Sequence, residues 1–289
     1  MAARPPLIAM PVIAMSRLAR PRGRLLVAMA ALAAVLAAPG PARGAEQVLT
    51  LSPRPGVTLR YVLVPTPGPP VASAILFVGG DGVMNLDRPR DRWSLKGNFL
   101  FRTRSMLNEQ GVQLAIVDAP SDRPSTLWGF RSGEAHATDI AAVLAALRSR
   151  TAVPAWLIGT SAGTVSAANG AVRLRAPAGP DGVVLTSTIF KRTRVVSETV
   201  PEMDLARVQI PVLLVHHQND DCVATRYVDL WALERALPRS IKHETLLFKG
   251  GDPARSEPCE AQSPHGYLGI EREVMTAIGR WMLAAVPRP

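Results

Sequence analysis

Beyond residue 44 the chain alternates apolar runs of strand length with stretches whose apolar positions recur every three or four residues. Residues 48–51 and 57–64 flank the turn Pro53-Arg54-Pro55-Gly56 and predict a β-hairpin. An apolar run over 71–78 stops at Gly79-Gly80-Asp81-Gly82, and another over 112–117 stops at Asp118-Ala119-Pro120. Between them, Phe99, Leu100, Met106 and Leu107 fall on or near one face of a helix over 99–110, closed by Gly111. Residues 121–133 read as a polar, Pro- and Gly-containing loop. It also carries Trp128 and Phe130, suited either to lining a cleft or to packing beneath the loop. Ile140, Val143, Leu144 and Leu147 predict an amphipathic helix over 134–150.

The second half continues in the same rhythm. Strands are expected over 155–158, 183–186, 212–215 and 241–248, with helices over 162–173 and 224–237 and a last amphipathic helix ending near 285. Trp231, Leu233 and Leu237 are the core candidates of the 224–237 helix. Strands that are apolar throughout need a sheet covered on both faces. Helices between successive strands supply the crossovers that parallel neighbours require. The expectation is one α/β domain over residues 45–289, an about eight-stranded, mainly parallel sheet with helices on both faces. No repeat or linker divides it.

Charge changes the picture at the amino terminus. The formal charge of +10 is uneven, because Arg4, Arg17, Arg20, Arg22, Arg24 and Arg43 precede residue 45 with no acid among them. The remainder holds 27 basic against 23 acidic residues, or +4. A domain of that charge has no special claim on polyanions, so nucleic acid is not an expected partner. Arg17 to Arg24 form a positive n-region, residues 25–38 an unbroken small-apolar stretch, and Ala42-Arg43-Gly44 a cleavage site. A signal peptide over residues 1–44 is therefore expected, cleaved near Gly44. Its apolar run falls short of the ~20 residues that span a bilayer. Membrane contact is expected only through this segment before cleavage, and the domain is expected to be exported, periplasmic or secreted. In an oxidising compartment the only two cysteines, Cys222 and Cys259, predict one disulfide. Their spacing fits no metal site, and no metal or cofactor is expected.

The chemistry-bearing stretch runs from Trp156 to Thr164: strand, a serine between two glycines, then a helix of small residues. Gly159-Thr160-Ser161-Ala162-Gly163 has the Gly-x-Ser-x-Gly form, in which a strained turn lifts the hydroxyl above the sheet while the glycines let strand and helix pass closely. A serine hydroxyl is a poor nucleophile without a base, and the base needs an orienting acid. The 212–215 strand runs into His216-His217-Gln218-Asn219-Asp220-Asp221, which places both acids in a loop at the carboxyl end of the sheet. Asp220 is favoured and Asp221 is the alternative. Among five histidines, His136 lies on a helix, His243 in a strand, and His216 and His217 beside the acid's own loop. His265, between the last strand and the last helix, is the candidate base. A Cys222–Cys259 bond would tie the acid loop to the base loop.

Taken together, and over nearly all of the chain beyond the leader, these features resemble the α/β-hydrolase superfamily in one of its small exported branches. The resemblance implies Ser161 as nucleophile, Asp220 as orienting acid and His265 as general base. It also implies the Ala162 N–H as one oxyanion donor, with Gly80 or Asp81, in the turn after the third strand, as the second. That turn lacks the His-Gly-Gly-Gly form of lipases and is similar to the Gly-Asp-Gly turn of proteins like the virulence-associated VirJ group. The implied reaction is hydrolysis of a small-molecule carboxylic ester through an acyl-enzyme. Amide or peptide hydrolysis stays open, because the triad serves both. The short segment between the 183–186 and 212–215 strands leaves room for a minimal lid, hence an open site for small acyl groups. The alternative from another class is an exported, non-catalytic binding or assembly protein on the same fold, which would need none of the three residues in register.

Overall fold

The computed structural model describes residues 44–285. The leader expected over 1–44 lies, apart from Gly44, outside the described residues. In chain order the elements are β1 (Gln47–Arg54), β2 (Val57–Val64), β3 (Ala72–Phe77), α1 (Phe99–Arg102), α2 (Arg104–Asn108), β4 (Val112–Val117), α3 (Glu134–Arg148), β5 (Ala155–Thr160) and α4 (Gly163–Arg173). They continue with β6 (Gly182–Thr186), β7 (Val212–His217), α5 (Leu230–Ala236), β8 (His243–Phe248) and α6 (Glu271–Ala285).

Among the described residues the eight strands form one sheet in the order β1-β2-β4-β3-β5-β6-β7-β8. β2 pairs antiparallel with β1 and with β4, and the remaining pairs are parallel. β3 lies between β4, which follows it in the chain, and β5, which comes later, so the strand order reverses there. Open α/β sheets leave a crevice at the carboxyl ends of the strands where the order reverses. The loops after β3 and β5 both open into it.

Alternation along the strands divides the core in two. Ile75, Phe77, Leu157, Val183, Leu185, Val212 and Leu214 face one way and pack with Ile140, Val143, Leu144 and Leu147 of α3 and with Val165 and Ala168 of α4. Ala74, Leu76, Leu114, Ile116, Trp156, Ile158, Leu213 and Val215 face the other way, onto Leu107 of α2 and Val274, Met275, Ile278 and Met282 of α6. The fully apolar runs of the sequence are thus strands covered on both faces. No helix among the described residues is long and apolar enough to cross a membrane.

Three expectations need correction. The helix expected over 99–110 is broken into α1 and α2 at Thr103. There the buried hydroxyl donates to the Phe99 carbonyl at 2.6 Å and competes with the backbone ladder. The helix expected over 224–237 begins only with a short 3₁₀ turn at Tyr227–Asp229, followed by α5. Its intended first residues are engaged elsewhere: the Ala224 carbonyl accepts from the Phe190 N–H, and Thr225 bonds an acid. The third concerns Trp231, a core candidate that is 58% exposed and lies beneath the Arg235 guanidinium, whereas Leu233 and Leu237 are buried as expected.

Candidate active site

The loop after β5 is a nucleophile elbow in its geometry. Ser161 has φ +51°, left-handed backbone that a side-chain-bearing residue adopts only under constraint. The constraint is close approach. A β-carbon on Gly159 would overlap the carbonyl of Gly163, and one on Gly163 would overlap the carbonyl oxygen of Phe77 in β3. Both glycines of the pentapeptide are therefore needed to press the start of α4 against the sheet. Thr164 completes the turn, its hydroxyl donating to the Ser161 carbonyl at 2.6 Å. The Ala162 N–H stands at the amino end of α4, where backbone donors have no carbonyl above them.

Asp220 and His265 meet across 45 residues of chain. The His265 Nδ1 lies 3.0 Å from Asp220 Oδ2, and both side chains are buried. Asp220 Oδ1 accepts from the Cys222 N–H at 3.0 Å, and Oδ2 also accepts from the Thr225 hydroxyl at 2.9 Å. An ionised carboxylate only accepts, so the hydrogen between Asp220 and His265 belongs to Nδ1, which leaves Nε2 as the free acceptor. Asp221, the alternative acid, is exposed.

The backbone around His265 is fixed as firmly as its ring. Its N–H donates to Ser263 Oγ, and its carbonyl accepts from Ser187 Oγ at 2.8 Å. Ser187, the residue after β6, has φ +46°, and Tyr267, whose hydroxyl donates to the Val215 carbonyl, has φ +58°. Three of the five non-glycine residues with positive φ among the described residues thus surround this site. Burial pushes the Tyr267 hydroxyl well above its ordinary pKa, so it stays a donor.

Ser161, His265, Gly79, Gly80, Asn98, Phe99, Thr160, Cys259, Ala261 and Gly266 line a cavity of about 50 Å³. Gly80 has φ +64° and faces this cavity. Asp81 is exposed, its carboxylate accepting from the Val83 N–H. Behind the turn sits Arg131, buried: its guanidinium donates to the Val78 and Gly80 carbonyls, each at 3.3 Å, and to Ser166 Oγ at 2.8 Å. Burial lowers its pKa to about 10, against the attraction of Glu198 and Asp81, and it remains a cation at neutral pH. Holding a carbonyl back toward Arg131 turns the N–H of the same peptide the opposite way.

The other histidines have structural surroundings. His136 is wedged against Phe77 and Phe130, His216 Nε2 accepts from the Thr188 N–H, His217 bonds the Gly250 carbonyl, and His243 is exposed on the edge strand β8. Neither loop aromatic lines the cavity: Phe130 is buried beneath its loop and Trp128 is half-buried against the core. Sequence pattern singled out neither Thr225, Arg131 nor Asn98. Ligating atoms of Asp220, Cys222 and His265 lie within 4.8 Å of one another, but the Cys222 sulfur is committed to Cys259 and cannot serve as a thiolate ligand.

The Cys222–Cys259 disulfide joins the acid loop to the base loop, and Cys259 forms part of the cavity wall. It closes a loop with a sequence separation of 37. Replacing both cysteines by serine is expected to cost about 3–4 kcal/mol on the chain-entropy account, read as a lowered urea midpoint. An unchanged midpoint would show that the loops hold together without the bond.

No known protein family and no curated protein matches the chain by sequence. Solved structures do match. An α/β serine hydrolase without a lid from Xanthomonas campestris is 17% identical at a TM-score of 0.55, over 84% of this chain and 97% of that one. A dienelactone hydrolase from Anabaena variabilis is 16% identical at 0.56, over 85% and 100%. A cold-adapted esterase from an Arctic intertidal metagenomic library is 15% identical at 0.56, over 84% and 94%. At these identities the likeness is one of architecture, and with the sheet order and the elbow it leads to one conclusion: the chain has the α/β-hydrolase fold, its lid reduced to the segment between β6 and β7.

Proposed function

We propose that the protein is an exported serine hydrolase that cleaves small carboxylic esters. The observation that carries this reading is the strained Ser161 sharing one cavity with a His265 whose Nδ1 is held by buried Asp220. In the reaction His265 Nε2 takes the Ser161 proton as Oγ attacks the ester carbonyl, and Asp220 stabilises the imidazolium that forms. The tetrahedral oxyanion receives hydrogen bonds from the Ala162 N–H and from the Gly80 or Asp81 N–H. Its collapse expels the alcohol, which takes the proton from His265. Water, deprotonated by the same base, then releases the acid and restores Ser161.

The size of the cavity and the packing of the cap segment support small acyl groups. Thr188, Ile189, Phe190, Val196 and Val200 of that segment are buried against the body of the domain. Neighbouring structures described as esterases and a dienelactone hydrolase support ester over amide chemistry. The basic-then-apolar leader and the disulfide support export.

The test is a p-nitrophenyl ester series from acetate to octanoate, run beside labelling with a fluorophosphonate. The expected result is turnover greatest at the short end, with one label per chain, located on Ser161 by peptide mass. Absence of both would overturn the reading and favour a binding protein on the same fold. Label without ester turnover would move the substrate to an amide or peptide.

A further inference from the structure

Asn98 stands between the end of a loop and the first turn of α1, and the two ends of its amide have different surroundings. Oδ1 accepts from the Leu100 N–H at 3.2 Å and caps the helix. That bond fixes which way the amide points and turns Nδ2 to the opposite side. Nδ2 lies 3.4 Å from the point a β-carbon would occupy on Gly79, and the same point is 3.0 Å from the Ser161 β-carbon. The donor end of the amide is thus beside both the nucleophile and the turn after β3. Among the described residues it donates to no protein acceptor, and the residue lines the cavity with Ser161, Gly80 and His265.

The segment that carries Asn98 is anchored on both sides of the cavity. Its N–H donates to the Leu95 carbonyl, and Leu95, at φ +56°, reaches to 3.6 Å from where a Gly80 β-carbon would stand. On the other side Arg102 donates to the Gly97 carbonyl, to the Gly266 carbonyl next to His265, and to Glu271. An amide donor held this way costs little reorganisation when charge appears before it.

We propose that Asn98 is a catalytic residue whose Nδ2 donates a hydrogen bond to the oxyanion, a side-chain donor added to the backbone donors at Ala162 and at Gly80 or Asp81. The inference rests on the serine-hydrolase reading above. It also differs from a substrate-binding role, because a donor aimed at the oxyanion acts on kcat, whereas one aimed at a ground-state group acts on KM.

Two variants test it. Asn98→Ser keeps a good helix cap without reaching the cavity, and Asn98→Asp keeps the cap acceptor while removing the donor. Both are expected to lower kcat by about 10²–10³-fold, the loss typical of one oxyanion donor. KM should stay within about twofold and the melting temperature near that of the wild type. Fluorophosphonate labelling of Ser161 should slow by a similar factor, since attack at phosphorus also builds charge on an oxygen. A kcat near wild type in Asn98→Ser, or a raised KM with kcat intact, overturns the proposal. A wild type that neither turns over esters nor labels overturns the hydrolase reading itself, and this proposal with it.

Discussion

Asp220→Asn is expected to lower kcat on a short ester by about 10⁴-fold while the protein stays folded. The contacts say why the two effects separate. An asparagine Oδ1 can still accept from the Cys222 N–H, and the nitrogen that replaces Oδ2 can donate to Thr225 Oγ, so the loop keeps its bonds. The same nitrogen also faces His265 Nδ1, formerly 3.0 Å from an acceptor. Two donors cannot share that position, and Thr225 Oγ, 3.1 Å from Nδ1, accepts from the asparagine nitrogen and turns its own hydrogen toward Nδ1, so the imidazole carries its hydrogen on Nε2, where it can no longer take a proton from Ser161. Asp221→Asn, on an exposed neighbour, should leave kcat unchanged and serves as the control. Equal losses in the two variants, or less than a tenfold loss in Asp220→Asn, would remove Asp220 from the mechanism.

Stability is expected to fall by about 4 kcal/mol between pH 8 and pH 5, about half of it from each of two buried histidines. Burial is the larger cause in both. Aided by the Arg131 and Arg54 charges it pushes His136 down to about 3, and it pushes His216 to about 3 against the attraction of Asp220. The unfolded chain takes up protons at these residues below their ordinary value of 6.5, and the folded chain does not until about 3. Their contribution is therefore full above pH 6.5 and is lost progressively as pH falls toward 3. Asp118 and Asp139, raised by burial, gain protons in the folded state and work the other way as the pH falls toward their range. Urea midpoints at the two pH values measure the loss. His136→Phe should halve it, because neither ring nitrogen of His136 has a hydrogen-bond partner and its neighbours are the rings of Phe77 and Phe130. The same pH dependence in that variant would mean His136 contributes none of it.

Apolar runs located β3 to β7, because a strand covered on both faces leaves little room for polar positions, and the turn Pro53-Arg54-Pro55-Gly56 located the more exposed β1 and its partner β2. The elbow was equally legible, since Gly159 and Gly163 are demanded by backbone contacts local to one strand and one helix. Sequence order also placed Asp220 and His265 in facing loops. What stayed hidden are side chains whose meaning depends on segments that meet only in three dimensions. Thr225 falls at the start of the expected 224–237 helix and gains its meaning only beside Asp220, and Asn98 merely precedes the expected 99–110 helix until Gly79 and Ser161 are seen beside it. Arg131 sits in a loop where the eye is drawn to Trp128 and Phe130, and nothing local says that its guanidinium points inward. Trp231 failed for the reverse reason: helical spacing assigns a face but not which side the core lies on, and Trp231 falls on the exposed side of α5, whose buried residues are Leu230 and Leu233.

The reversal of strand order between β3 and β5 also divides labour along the gene. On the serine-hydrolase reading proposed above, Gly80 and Asn98, with Arg131 behind them, all before residue 132, stand where negative charge would gather. On the same reading Asp220 and His265, both after residue 160, handle the proton, while Cys259 and Ala261 wall the cavity. Changes in the first half can therefore alter the groups around the turn after β3 while Ser161, Asp220 and His265 keep their places in the second.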